Sequence, residues 1–226
     1  MTKWNLAIDG PAGAGKSTVA KRVADQLSMV YIDTGAMYRA LTWLALNKDV
    51  NIHDEAEMHH LLKESDIRLR GPEGEEGIYV NGTNVSKAIR EPQVTNNVSY
   101  TAQHAAIRKE MLRKQQLLAA EGGTVMDGRD IGTAVLPNAE VKIFLTASTD
   151  ERAKRRYEEE IAKGMDSDFE KLKKEIAERD KIDSERTEAP LKKASDAVEL
   201  DTTELTVDEA VNKICLIAEK RVDADE

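Results

Sequence analysis

A chain of 226 residues with a formal charge of −9 is long enough to bury a sizeable core, and too acidic to offer polymeric nucleic acid the net basic surface its backbone needs. One cysteine excludes an internal disulfide and a cysteine-based zinc site, and Cys215, on an apolar stripe with Val211, Ile214 and Ala218, reads as a packed thiol. There is no long apolar run, and Met1 to Trp4 lacks the segments of a signal peptide, so the expectation is a cytoplasmic protein with no membrane partner.

The first predicted element is a short buried strand, Leu6-Ala7-Ile8, and a helix is predicted from Ser17 to Leu27. Between them Gly10, Pro11, Ala12, Gly13, Ala14, Gly15, Lys16 and Ser17 fit GxxxxGK(S/T), with Thr18 next. Glycines let successive backbone N–H groups turn toward an anion, and the helix N-terminus adds partial positive charge at the same place. Lys16 would reach the β- and γ-phosphates of a nucleotide, and Ser17 would place its hydroxyl on Mg²⁺.

A second strand, Val30-Tyr31-Ile32, ends at Asp33-Thr34-Gly35, and a helix opens at Ala36 and runs to about Leu46. Ligands of open α/β sheets bind beyond the carboxyl ends of the strands, which makes Thr34 and Arg39 candidates; the plainer reading is a helix cap and a surface arginine. Asp54 to Glu57 reads as a capped helix start leading to Leu61 and Leu62. The period then changes to alternation over Ile67 and Leu69. A turn from Gly71-Pro72 to Gly77 follows, and Ile78-Tyr79-Val80 faces Thr83-Asn84-Val85 across Asn81-Gly82, a strong hairpin signal. Three short antiparallel strands inside a strand-helix alternation predict an inserted subdomain.

One long helical region, carrying Ser99 and Arg108, is predicted from Glu91-Pro92 until Gly122-Gly123 stops it. Thr124-Val125-Met126 is a third core strand. It ends at Asp127-Gly128-Arg129-Asp130, where Asp127 would serve a metal through water and Arg129 and Asp130 would meet a second substrate, unless the charges merely satisfy one another. Val141 to Leu145 reads as a central parallel strand. Two highly charged helices, Glu151 to Lys163 and Phe169 to Asp183, have no wide apolar stripe; they suit a mobile lid, or simply a solvated pair held by i,i+4 ion pairs. Arg179, Asp183 and Arg186 fall near one helical face before Pro190 breaks the helix. Ala197 to Leu200 is a last strand, Thr206 and Glu209 form a capping box for a final helix from Val207 to about Arg221, and the tail Val222 to Glu226 is expected to fray.

A phosphate loop, a Mg²⁺-compatible hydroxyl, arginines at strand ends and a candidate lid add up to phosphoryl transfer, which asks mainly for positioning and positive charge. Arg152, Arg156 and Arg179 are the arginines expected to meet the transferring group, with Lys16 and Arg129. The segments IDGPAGAGKS, DTGAMYR, DGRDIGT, VKIFLTAS, ERAKRR and ERDKIDSERTEAPL, with the inserted hairpin region and the final DT, resemble the bacterial cytidylate kinase family of nucleoside monophosphate kinases over essentially the whole chain. The resemblance implies a P-loop kinase fold, α/β with a parallel central sheet and helices on both faces, an NMP-binding insertion with a three-stranded antiparallel sheet, and a helical lid. It implies a core of residues 1–36, 106–148 and 188–226, an NMP-binding domain of 37–105 with its insertion at 65–86, and a lid of 149–187. Residue by residue, it implies a monophosphate held by Thr34, Arg39, Arg129 and Arg179, cytosine read by Ser99, Arg108 and Asp130, and sugar hydroxyls approached by Asp183 with Arg186 nearby. ATP would lie on Gly13 to Thr18 under Arg152 and Arg156. The expected reaction is Mg·ATP with CMP or dCMP giving ADP with CDP or dCDP, in a monomer. Other acceptors (UMP, AMP, shikimate) remain open. A GTP-hydrolysing switch is disfavoured, because Asn47-Lys48-Asp49-Val50 misses the NKxD spacing and sits too early.

Overall fold

The structure is a computed structural model that describes residues 4–70 and 76–222; most of the expected Gly71 to Gly77 turn, and the tail beyond Val222, lie outside the described residues. Two compact units divide the chain, Met1–Ile32 with Leu118–Glu226, and Asp33–Leu117.

The first unit is built on β1 (Leu6–Asp9), α1 (Lys16–Gln26) and β2 (Val30–Asp33), the last of which crosses the unit boundary at its final residue. It continues after the second unit with β6 (Thr124–Gly128), β7 (Val141–Thr146), α7 (Thr149–Ala162), α8 (Phe169–Glu185), β8 (Val198–Asp201) and α9 (Val207–Val222). The strands form one sheet in the order β2-β6-β1-β7-β8. β1 pairs in parallel with both β6 and β7, Leu6 lying opposite Val125 and Val141, and β7 pairs in parallel with β8. Leu6, Ile8, Val125, Val141, Ile143 and Leu145 are buried in one cluster with Val19 and Val23 of α1 and Val211, Ile214 and Cys215 of α9. Burying near-continuous apolar runs is what a parallel sheet covered by helices requires. Cys215 is a packed thiol, as its stripe implied, and burial pushes its pKa up. Thr206 and Glu209 exchange hydrogen bonds at the start of α9 as a capping box does.

The second unit contains α2 (Thr34–Asn47), α3 (Glu55–Glu64), β3 (Ile67–Arg70), β4 (Glu76–Val80) and β5 (Thr83–Asn84). The three strands form the expected antiparallel sheet, with Tyr79 opposite Asn84 and Val80 opposite Thr83. Asn81 and Gly82 take φ of 50° and 80°, the left-handed pair that a tight two-residue hairpin needs. Asp54 caps α3 by accepting the Glu57 N–H at 3.0 Å. Leu41, Met58, Leu62, Ile89, Ile107 and Met111 fill a separate core.

The long helix expected after Glu91-Pro92 is broken into α4 (Pro92–Thr95), α5 (Val98–Thr101) and α6 (Ala105–Ala119). Side chains compete with the helical ladder at the breaks: Thr95 Oγ1 donates to Pro92 O, Asn97 Nδ2 donates to Gln93 O, and the His104 ring pairs with Ile52 O. After β6, a π-helical turn over Ile131–Val135 was absent from the sequence expectation. Among the described residues, no helix is long and apolar enough to cross a membrane.

Candidate active site

In the first unit the chemistry gathers beyond the carboxyl ends of β1, β6 and β7. The phosphate loop leaves β1 and becomes α1 at Gly15, whose φ of 85° is left-handed. The first turn of α1 has neither an acidic residue nor a side-chain cap, so its N–H groups and partial charge are suited to an anion. Lys16 is buried and its Nζ donates to Pro11 O at 2.7 Å. Burial, and then the nearby Arg129 and Arg179, push its pKa well below the usual lysine value, against the pull of Asp127 and Asp9. A phosphate held on this loop would add negative charge that opposes the shift.

Ser17 Oγ donates to Asp127 Oδ2 at 2.9 Å, and Tyr31 Oη donates to Asp127 Oδ1 at 2.8 Å. Among the described residues no group of three or more His, Cys, Asp or Glu side chains converges on one point. One hydroxyl beside one carboxylate at the phosphate loop fits Mg²⁺, which keeps most of its waters and takes the rest of its ligands from phosphates.

Asp9, at the end of β1, accepts the N–H groups of Ile131 and Gly132, each at 2.7 Å. It thereby pins the π-turn that follows Arg129 and Asp130. Burial pushes its pKa up to about 6, with Asp130 adding to the rise and the two N–H donors and Lys16 opposing it. Arg129 Nε donates to Asp183 Oδ2 at 2.9 Å, Arg179 stands 4.0 Å from the same oxygen, and Arg186 reaches Asp130 Oδ1 at 3.3 Å. Burial would raise the Asp183 pKa, but Arg129, Arg179 and Arg186 outweigh it and hold the carboxyl below its usual range. Arg186 is fixed further by Ala189, whose carbonyl accepts from both Nε and Nη2.

Arg152 and Arg156 sit on α7, after the Ser148 N-cap. Arg152 is buried and clamps the phosphate loop: Nη1 donates to Ala12 O at 2.9 Å, Nε to Ala147 O, and Nη2 to Thr149 Oγ1. Its Nη1 also pairs with Asp180 Oδ2 of α8 at 2.7 Å. The contact is close enough that a Cβ on Gly13 would lie 3.1 Å from Arg152 Cβ. Arg156 pairs with Glu160 one turn on. Arg155 joins Thr202 after β8, its Nη2 donating to the Thr202 carbonyl at 2.6 Å. The fully buried apolar contribution of α7 and α8 is small, Ala153 from one and Leu172 and Ile176 from the other, in keeping with their charged sequences.

In the second unit, Thr34 opens α2 and Asp33 caps it, accepting the Ala36 N–H at 2.8 Å. The same Asp33 carboxylate receives Arg39 Nη2 at 2.7 Å and Arg90 Nη2 at 3.2 Å. Arg39 Nε is buried with no hydrogen-bond partner among the described residues, a donor available to a ligand. Ser99 is buried on α5, and the buried Arg108 guanidinium stands 5.8 Å from the centre of the Tyr38 ring. Sequence reasoning passed over Asp9, Tyr31, Asp33, Arg90, Arg155 and Asp180. Only Asp9 and Asp33 carried a usable signal, each being an acid at the last position of a strand.

Comparison with known proteins gives the family. The model of the family described as cytidylate kinase matches residues 6–220. A cytidylate kinase of Anoxybacillus flavithermus is 59% identical over 221 residues, 98% of each chain. One of Bacillus licheniformis is 60% identical over 220 residues, 97% of each chain. The crystal structure of a gluconokinase from Sinorhizobium meliloti superposes with a TM-score of 0.50 at 13% identity, over 98% of this chain and 95% of that one, a likeness of fold alone. With a phosphate loop at the head of a parallel sheet and matches at this identity along nearly its whole length, the chain belongs to the cytidylate kinase family.

Proposed function

We infer that the protein transfers the γ-phosphoryl group of Mg·ATP to CMP or dCMP, giving ADP and CDP or dCDP. A phosphate oxygen of the acceptor attacks the γ-phosphorus in line, the bond to the β–γ bridging oxygen breaks, and that oxygen leaves on ADP. The observation that carries the reading is the joining of Lys16, Ser17 and Asp127 at the phosphate loop with the Arg129–Asp183 and Arg186–Asp130 pairs, in a chain of this family.

ATP is assigned to Gly10 through Thr18, where backbone N–H groups and Lys16 hold the phosphates. Ser17 would hold Mg²⁺ directly and Asp127 through water. When bound there, the ion would supply positive charge to the donor phosphates. Arg129 and Arg179 are assigned to the acceptor phosphate and to the group in transfer, Arg156 to the donor phosphates, and Arg152 to holding the loop on which they rest. Asp130 reads cytosine with Arg186 behind it, and Asp183 takes the sugar hydroxyls. In the second unit, Thr34 and Arg39 are assigned to the phosphate, and Ser99 and Arg108 to the base, whose O2 and N3 accept and whose N4 donates. Residues 1–36, 106–148 and 188–226 act as core, 37–105 as NMP-binding domain and 149–187 as lid. The protein works as a cytoplasmic monomer without nucleic-acid or membrane partners; its net charge supports the exclusion of nucleic acid.

The test is ADP release from Mg·ATP with CMP, dCMP, UMP, AMP and shikimate offered separately, beside a control without acceptor. Turnover with CMP and dCMP above the rest is expected. Equal ATP consumption without any acceptor removes the transferase reading.

A further inference from the structure

We propose that Tyr31 is a positioning residue for the magnesium site, fixing through its phenol the carboxylate of Asp127. The inference rests on the assignment of Mg²⁺ to Ser17 and Asp127. Asp127 is buried at the end of β6, and each of its oxygens has its own donor: Ser17 Oγ on Oδ2 at 2.9 Å and Tyr31 Oη on Oδ1 at 2.8 Å. Ser17 belongs to the phosphate loop and is itself assigned to the ion. Tyr31 is neither: it lies on β2, the neighbour of β6 in the sheet, and packs against the sheet-and-helix core. Of these two donors, the phenol is the one anchored outside the nucleotide and metal site.

A carboxylate that reaches Mg²⁺ through water must aim a lone pair at a water proton, so the torsion of its terminal bond decides how well it serves. With Oδ1 held by the phenol, rotation about Cβ–Cγ is restrained and Oδ2 is kept directed at Ser17 and the phosphate loop. Two effects oppose one another when the phenol hydroxyl is removed. The donor withdraws charge from the carboxylate, so its loss alone would make Asp127 a better acceptor. Its loss also frees the torsion. Orientation wins for a ligand acting through water, because the ion is too distant for the small change in charge to compensate a misdirected lone pair. Removing an outer partner of a metal ligand characteristically weakens binding by 10- to 100-fold, and a water-mediated ligand belongs at about the lower figure, roughly 10-fold.

The experiment is Tyr31→Phe, which removes one oxygen and keeps the packed ring. Two quantities are measured on the intact protein: ADP affinity in EDTA by calorimetry, and Mn²⁺ binding to the ADP complex by electron paramagnetic resonance, with protein in excess over ADP. Asp127→Asn is measured alongside. The expected result is an unchanged metal-free ADP affinity and Mn²⁺ binding weakened about tenfold in Tyr31→Phe, with a loss at least as large in Asp127→Asn. If Asp127→Asn weakens Mn²⁺ while Tyr31→Phe leaves it unchanged or tightens it, the positioning role is overturned and the metal assignment stands. If neither variant changes Mn²⁺ binding, the assignment of Asp127 falls and the role of Tyr31 with it. A drop in metal-free ADP affinity equal to the drop in Mn²⁺ binding makes Tyr31 a prop for the fold, which also overturns the proposal.

Discussion

Replacing Arg152 by alanine separates two meanings of an arginine near a phosphate loop. Its side chain is only 5% exposed and donates to Ala12 O, Ala147 O and Thr149 Oγ1, while Asp180, its ionic partner, is 23% exposed. Truncation strands a mostly buried carboxylate and leaves two backbone carbonyls without this donor. Breaking a buried ion pair costs about 3–5 kcal/mol, and the water that reaches Asp180 places the loss near the lower end, about 3 kcal/mol. For a chain of this size, that is a fall in melting temperature of roughly 6–12 °C. Because the Ala12 carbonyl loses its tether, the KM for ATP should rise with it. An arginine that met only the transferring group would behave oppositely, with kcat reduced and the fold untouched. Urea unfolding followed by circular dichroism, with KM and kcat measured on the same preparations, decides between them. An unfolding midpoint equal to that of the parent, with kcat collapsed, refutes the clamp. Arg152→Lys should recover only part of the stability, since an ammonium cannot reproduce the planar fork.

Ionisation of Asp9 supplies a pH signature. Its pKa in the fold is about 6 against an ordinary 3.8, so the stability it contributes is fully present below about pH 4 and is lost as the pH rises through 6, where the carboxylate ionises facing Asp130 and Lys16. The shift of about 2 units corresponds to about 3 kcal/mol. Unfolding free energies of parent and Asp9→Asn between pH 4 and 7 should therefore converge or cross by roughly this amount; parallel curves would show that Asp9 titrates normally. Gly10→Ala should be far more damaging than Gly15→Ala. A Cβ at Gly10 would fall 2.0 Å from the Leu145 carbonyl oxygen, whereas at Gly15 the nearest neighbour, Arg155 Nη1, is 3.7 Å away. The second change carries only left-handed strain of about 1–2 kcal/mol, and the first adds a backbone collision with β7. Comparable chemical denaturation midpoints for the two variants would sink this reading.

The phosphate loop was legible because its requirements are local: glycines where the backbone turns, a lysine and a hydroxyl at fixed offsets. The central strands β1, β6 and β7 were legible because burial on both faces leaves near-continuous apolar runs, and the hairpin because Asn81-Gly82 suits two left-handed residues. The breaks between α4, α5 and α6 were not legible. Helical spacing persists through them, and what interrupts the ladder is the reach of Asn97 to Gln93 and of His104 to Ile52, the second a contact between residues 52 apart in sequence. The clamp of Arg152 on Ala12 joins residues 140 apart, which charge patterning on one helix cannot disclose. Arg39, Arg129, Arg152, Arg179 and Arg186 were easy to pick out near strand ends, on the charged helices and before Pro190. Of their acidic partners, Asp33 carried a signal as the acid that ends a strand, whereas Asp180 did not, since an acid amid a charged helix has an ordinary local explanation.

Those partners bear on how a phosphate is admitted. Arg39 and Arg90 share the Asp33 carboxylate, and Arg129 and Arg179 stand beside Asp183. Each cluster keeps a built-in counter-ion, so a phosphate bound there would compete with a resident carboxylate for part of the arginine donors, with Arg39 Nε open to it from the start. Affinity is then a difference between two anions rather than a sum of contacts. A monovalent anion offers the arginines little that the resident carboxylate does not, while the more highly charged phosphate, with three acceptor oxygens, does. In the proposed site, selectivity for the right kind of anion would thus be built into the arginine clusters before any ligand arrives.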